Sequence, residues 1–345
     1  MKTNRYTLFC AFVFLRFFAL SLLSCSTEDV PRTDDDYGYI YTTVRTPNTL
    51  DLTDEDDVIH TIRIFVFVGD LLETQKLFVR GEDEKEWKNS FRLRVATGTK
   101  NVMVVANETA YMTTQLEAVR TRQNLYDVEA EHITSPFTFA PSQGLPMTGK
   151  RENVDVAIGG GTATVTLTKM VAKLDITIID GSERGDITIT EITLFNNKGI
   201  SLLWDRSDGA FLIVTENDFF DIDITVPKLS DRWVIPTLYL YENLRGQENP
   251  AKATRLEIAA VLQLDNGDTF PVTYSVYINE HLPNTSEVDS PENQRFLIQR
   301  GHHYTLTGTI WGTEYTHITV KMEVKPWQAG NSSPQRPLPQ PEPIN

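Results

Sequence analysis

Apolar and polar residues alternate with a period of two along most of this chain, the signature of β-strands with one buried face. The cleanest case lies near the end. Ile318, Val320, Met322 and Val324 face one way and Thr319, Lys321, Glu323 and Lys325 the other. Near the start, Tyr37 to Val44 carries Ile40 and Val44 on one face and Tyr39 and Tyr41 on the other. Between them, Ile62–Val68, Gln75–Val79, Phe91–Val95 and Val102–Val105 are short β-branched and aromatic runs separated by turn residues, as in a sandwich. Ile187–Phe195, Trp233–Tyr241, Leu256–Leu264 and Thr269–Ile278 repeat the style, and Tyr304, Leu306, Gly308 and Ile310 alternate with threonines. Asp265-Asn266-Gly267-Asp268 predicts a hairpin, because asparagine and glycine accept the positive φ such turns need. The fold class expected is therefore mostly β.

One segment has helical spacing instead. From Thr113 onward, Leu116, Val119, Gln123 and Tyr126 recur three to four apart, with Thr113 or Thr114 as the cap. The stripe is thin, which predicts a surface helix laid on a sheet. A proline-bearing loop over 132–149 follows. The Gly159-Gly160-Gly161 run then reads as a hinge and places a boundary there. Beyond it, Ala163, Val165 and Leu167 share a face, after which the apolar set moves to Met170, Ala172, Leu174, Ile176 and Ile178. A switch of face means a bulge or break near Lys169. The expected divisions are a leader over 1–24, a flexible acidic tether over 25–36, a first sandwich over 37–160, a second over 161–327, and a proline-rich extended tail over 328–345.

The leader changes where the protein is expected to work. Lys2 and Arg5 precede an apolar run from Tyr6 to Leu23, then Ser24 and Cys25. That layout is a bacterial lipoprotein signal whose cysteine is acylated after cleavage. A transmembrane span fits less well, since Arg16 at its centre would cost roughly 2.5–3.5 kcal/mol. The two cysteines, Cys10 and Cys25, both fall in or at the end of this leader, so the remaining roughly 320 residues have no thiol for a disulfide or thiolate chemistry. The chain has 32 basic and 47 acidic residues, a net charge of −15. Such a balance opposes binding to phosphate backbones and excludes nucleic acid as the expected partner.

Candidate chemistry is sparse. Of the six histidines none forms a helical metal pair. His302 and His303 are adjacent at a strand start, where neighbouring side chains diverge, so no metal site and no cofactor is expected. No nucleophile elbow or phosphate loop occurs, and no enzymatic activity is expected. Acidic clusters at Asp34–Asp36 and Asp54–Asp57 lack the spacing of a calcium loop. Arg184-Gly185-Asp186 spells a tripeptide that adhesion receptors can bind, but a turn explains it equally well.

Several stretches together resemble the fimbrillin family, the type V pilins of Bacteroidales. They are Ile62–Val68, Val102-Met103-Val104-Val105-Ala106-Asn107, Leu145-Pro146-Met147-Thr148-Gly149, Met170-Val171-Ala172-Lys173-Leu174-Asp175, Ile192–Asn197 and the strand ending at Trp327. Ser26, Thr27, Glu28 and Asp29 after the cysteine also resemble the export signal that sends lipoproteins of such bacteria to the outer face of the outer membrane.

The resemblance implies two transthyretin-like β-sandwich domains in series, in a surface-exposed outer-membrane lipoprotein that becomes a fimbrial subunit and serves adhesion. It implies lipidation at Cys25, removal of the first strand by an arginine-specific protease, and polymerisation with other fimbrial subunits by strand exchange. Between Asp36 and Arg63 the only basic residue is Arg45, at the end of the tyrosine-rich strand, which makes Arg45–Thr46 the candidate processing bond. An ordinary solvated arginine is the alternative. Ile318, Val320, Met322 and Val324 are the candidate donor residues. The tail departs from the pattern, since proline cannot donate to a β-ladder; a non-polymerising anchor or tip subunit therefore stays open. So does a surface glycan-binding lipoprotein of a nutrient-uptake system, using Trp87, Trp204 or Trp311 as sugar platforms.

Overall fold

The structure is a computed structural model that describes residues 36–46, 58–81, 90–133, 135, 144–182, 186–204, 218–247, 249–280, 296–311 and 317–326. Cys25, Trp87, Arg184, Gly185 and the tail after Pro326 lie outside the described residues.

The first group of strands is β1 (Tyr37–Arg45), β2 (Thr61–Val68), β3 (Leu71–Val79), β4 (Ser90–Ala96), β5 (Gly98–Ala106), β6 (Met147–Val156), β7 (Gly161–Thr166) and β8 (Thr168–Lys169). They form a three-stranded sheet ordered β4-β1-β7 and a five-stranded sheet ordered β3-β2-β5-β6-β8. The two sheets share one apolar core. Ile40 and Val44 of β1, Leu93 and Val95 of β4, and Ala163 and Val165 of β7 meet Ile62, Ile64, Val102 and Val104 of the other sheet.

The second group is β9 (Val171–Asp180), β10 (Asp186–Lys198), β11 (Phe219–Asp223), β12 (Arg232–Tyr241), β13 (Arg255–Gln263), β14 (Thr269–Tyr277), β15 (His302–Trp311) and β16 (His317–Pro326). Its sheets run β11-β10-β13-β14 and β12-β9-β15-β16 around a core that includes Leu174, Ile176, Ile192, Trp233, Ile258 and Leu306. The predicted hairpin joins β13 to β14, with Gly267 at φ 89° and the Leu264 amide donating to Asp268 at 2.8 Å.

Two expectations need correction. The boundary does not fall at 160/161. β7 pairs in parallel with β1, from Ile40↔Gly161 to Arg45↔Thr166, and β8 pairs with β6, so residues through Lys169 lie with the first sandwich. The triglycine is the tight turn between β6 and β7, closed by the Gly160 amide on the Ala157 carbonyl at 2.8 Å. The passage between sandwiches is at Met170, where the apolar face switches.

The helical segment is also different. It breaks into α1 (Ala110–Ala118) and α2 (Arg122–Tyr126), the second capped by Thr121, whose hydroxyl accepts from the Asn124 amide. Met112, Leu116, Val119 and Leu125 are buried rather than laid on a surface. With Phe65, Phe67 and Met103 from the outer face of the five-stranded sheet, they form a joint core with Leu203, Trp204, Tyr239 and Tyr241 of the second half. β2 is thus buried on both faces, which is why Ile64–Phe67 reads as an unbroken apolar run. Backbone bonds continue the join: the Ala130, Ile133 and Leu203 amides donate to the Ser201, Gly199 and Val128 carbonyls at 2.8–2.9 Å. Tyr241 donates its hydroxyl to the Glu131 carbonyl at 2.7 Å, and burial pushes that phenol's pKa up.

Asn107 pins three segments of the first sandwich. Its backbone sits at φ 54°, which asparagine tolerates better than most side chains. Its side chain donates to the Val58 and Leu145 carbonyls at 2.8 and 2.9 Å and accepts from the His60 amide at 2.8 Å. Asn107→Ala should cost about 3 kcal/mol, by leaving those groups unpaired in a strained turn. A thermal melt should fall by roughly 10 °C; a change within a degree would contradict the role.

Candidate functional site

The feature with functional geometry is the seat of β1. On one side β1 runs antiparallel to β4, from Tyr37↔Ala96 to Thr43↔Ser90; on the other it runs parallel to β7. Because the sheet order is β4-β1-β7, neither flank has another strand beside it in that sheet among the described residues. The ends are fastened too: the Thr97 amide donates to the Asp36 carbonyl and the Leu167 amide to the Arg45 carbonyl, both at 2.8 Å. Alternation places Gly38, Ile40, Thr42 and Val44 inward, all buried. Tyr37, Tyr39 and Tyr41 point outward, where the Arg92 guanidinium lies 4.2 Å from the Tyr39 ring centre and that of Arg94 4.5 Å from the Tyr37 ring. Such stacking adds about 0.5–1 kcal/mol at exposed sites.

Taking β1 away would leave two unpaired strand edges about 9.5 Å apart, twice the ordinary strand spacing. The floor of that slot would be Ile62, Ile64, Val66, Val102, Val104 and Met147 of the five-stranded sheet. One strand fits a slot of that width, and free edges above an apolar floor are what a strand from another chain pairs with. At Gly38 the seat is closed: a Cβ there would collide with the Ala157 carbonyl.

Arg45 ends β1 with its side chain exposed, and Thr46 beside it is buried. The Arg45 carbonyl is held by Leu167, so a protease that binds an extended segment can reach the Arg45–Thr46 bond only after this end of β1 peels from β7. Ile318, Val320, Met322 and Val324 lie on β16, the edge of the second sandwich. β16 pairs with β15 along its whole length, from His302↔Pro326 to Trp311↔His317, and Ile318 and Val324 pack on its own core. Among the described residues its other edge has no strand beside it in the sheet.

The histidine pair diverges. His302 Nδ1 pairs with the Arg300 carbonyl at 3.0 Å, whereas His303 Nε2 pairs with Asp175 Oδ2 at 2.6 Å. The hydrogen bond from His303, with a second from Thr237, holds the Asp175 carboxyl below the usual range against the opposing effect of burial. Among the described residues no three His, Cys, Asp or Glu side chains converge as metal ligands. Trp204, considered as an exposed sugar platform, is buried in the joint core with its ring edge-on to Tyr126. No local signal could reveal this, because the surface that covers Trp204 comes from the other sandwich.

Residues 41–188 match the family model described as major fimbrial subunit protein (FimA). Over 301 residues the chain is 27% identical to the major fimbrium subunit FimC of Porphyromonas gingivalis, covering 81% of this chain and 60% of that protein. The chain is thus similar in sequence to fimbrial subunits. It spans about 60% of the length of the curated relatives it matches. Its fold is shared with a putative cell adhesion protein from Parabacteroides distasonis (TM-score 0.62, 15% identity, 85% of this chain and 100% of that one). It is shared also with a fimbrilin (fimA) from P. gingivalis W83 (TM-score 0.59, 14% identity, 87% and 100%). The FimA match begins inside β1 and runs into β10, so it takes in nearly all of the first sandwich and the β1 seat.

Ile40, fully buried at the middle of β1, tests how much the seat depends on side-chain filling. Ile40→Ala should cost about 2–5 kcal/mol. The loss should be seen first as faster proteolysis at Arg45; equal protection in the variant would mean that β1 is held by its backbone ladders alone.

Proposed function

We propose that this chain is a structural subunit of cell-surface fimbriae, assembled by protease-triggered strand exchange and serving adhesion. It is exported as a lipoprotein, acylated at Cys25, and carried to the outer face of the outer membrane. An arginine-specific protease then cuts Arg45–Thr46. β1, no longer covalently attached, leaves the first sandwich, and a strand from a neighbouring fimbrial subunit takes its place.

The observation that carries this reading is the position of β1. It is the first strand of the described chain, yet it stands in the middle of its sheet. A cut after it therefore removes the sole bridge between β4 and β7 without interrupting the rest of the sandwich. An incoming strand regains both ladders and the apolar floor. Burying three or four aliphatic side chains there would contribute on the order of 5–10 kcal/mol before ordering costs.

Ile318, Val320, Met322 and Val324 are the donor residues proposed. β16 is an edge strand with one ladder to break, so its release costs less than that of a central strand. Its full pairing with β15 favours a second reading. If β16 stays in its own sandwich, this subunit accepts a strand but gives none, and it ends or anchors a fibre instead of extending it.

The protein produced without its first 25 residues should be treated with an arginine-specific protease. The body should then begin at Thr46 and form a ladder of oligomers on a native gel. Arg45→Ala should remain uncut at this bond and monomeric. Oligomers from uncut Arg45→Ala protein would sink the mechanism; a cut protein that only forms dimers or stays single would select the terminal role.

A further inference from the structure

We propose that Thr42 sets how readily β1 leaves its seat, by making the resident strand a deliberately poor filler; this rests on the exchange reading above and assigns the residue that regulates it. Thr42 is fully buried, and among the described residues its hydroxyl has no hydrogen-bond partner. Its register neighbours are Phe91 on β4 and Ala163 on β7, and the core below is aliphatic. A buried hydroxyl without a partner destabilises the state that buries it, because water satisfied it before. Valine has nearly the same shape and no such group. The sequence therefore places a threonine where an aliphatic residue would bind better.

Gly38 adds to the effect. Its seat is closed by the Ala157 carbonyl, so that position contributes no side-chain burial. Of the four inward positions of β1, only Ile40 and Val44 contribute apolar contact without penalty. The favoured replacement is thus a strand with an aliphatic residue opposite Phe91 and Ala163, and the gain at this one position drives exchange forward.

The test uses the intact, uncut chain, so it needs neither protease nor polymer. Amide hydrogen exchange should be followed for β1, with β13 in the second sandwich as the internal reference. Thr42→Val should slow exchange of the β1 amides about tenfold or more, the size expected for relieving one buried unpaired hydroxyl. Val44→Thr, which adds a second such hydroxyl, should speed it by about the same factor. In both variants β13 should be unchanged. Equal or faster β1 exchange in Thr42→Val overturns the proposal, even if Val44→Thr does not fold. So does β1 exchanging at the β13 rate in every variant, since β1 then opens only with the whole molecule. A positive result together with no cleavage at Arg45 would leave Thr42 as the regulator of β1 opening while removing the fimbrial mechanism.

Discussion

The pairing of β1 with β4 on one edge and β7 on the other is the constraint from which the rest of the first sandwich follows. It turns two separate strands into a sheet, closes the apolar core from above, and fixes where Ile40 and Val44 sit. The pairings are long in sequence. β7 is more than a hundred residues from β1, so β1 is held by contacts that nothing in its own neighbourhood supplies. A strand held in that way can be replaced by any strand that presents a similar backbone and a similar face.

For exchange to leave the molecule intact, the remainder must stand without β1. The joint core supplies that support. α1, α2 and the outer face of β2 and β5 are clamped against Leu203, Trp204, Tyr239 and Tyr241, so the five-stranded sheet is covered on the face away from β1. Within the second half Arg300 holds the segment that carries Leu203, pairing with Glu242 and donating to the Leu202 and Leu203 carbonyls at 3.2 and 3.3 Å. Both sandwiches are thus held together on the side opposite the seat. Were the upper sheet to lose its middle strand, the lower sheet would keep the packing of its outer face.

Much of this was legible in the chain and some was not, for physical reasons. Tyr37–Val44, Ile62–Val68 and Ile318–Lys325 read as strands because side-chain alternation is local. Their neighbours are not local, so no pattern could reveal that β1 stands between β4 and β7 or that β16 is an edge. The boundary was misread at Gly159–Gly161 because a glycine run serves a hinge and a hairpin equally well; only the parallel pairing of Gly161–Thr166 with β1 decides between them. The switch of apolar face near Lys169 was the better marker, since it records the change from one core to another. The broken helix, its buried stripe and the burial of Trp204 all depend on the second sandwich closing over them. Arg45 stood out by the scarcity of basic residues around it, whereas the unpaired hydroxyl of Thr42 is invisible until its surroundings are known.

The most direct test locks β1 to its neighbour. Tyr41 and Arg92 are register partners on the outer face, and the only native cysteines are Cys10 and Cys25. A Tyr41→Cys, Arg92→Cys protein, produced without its first 25 residues, can be oxidised to link β1 to β4 and then cut at Arg45. The account predicts a cut monomer that forms oligomers only when reductant is added. Oligomers from the oxidised, cut protein, or none after reduction, would contradict it.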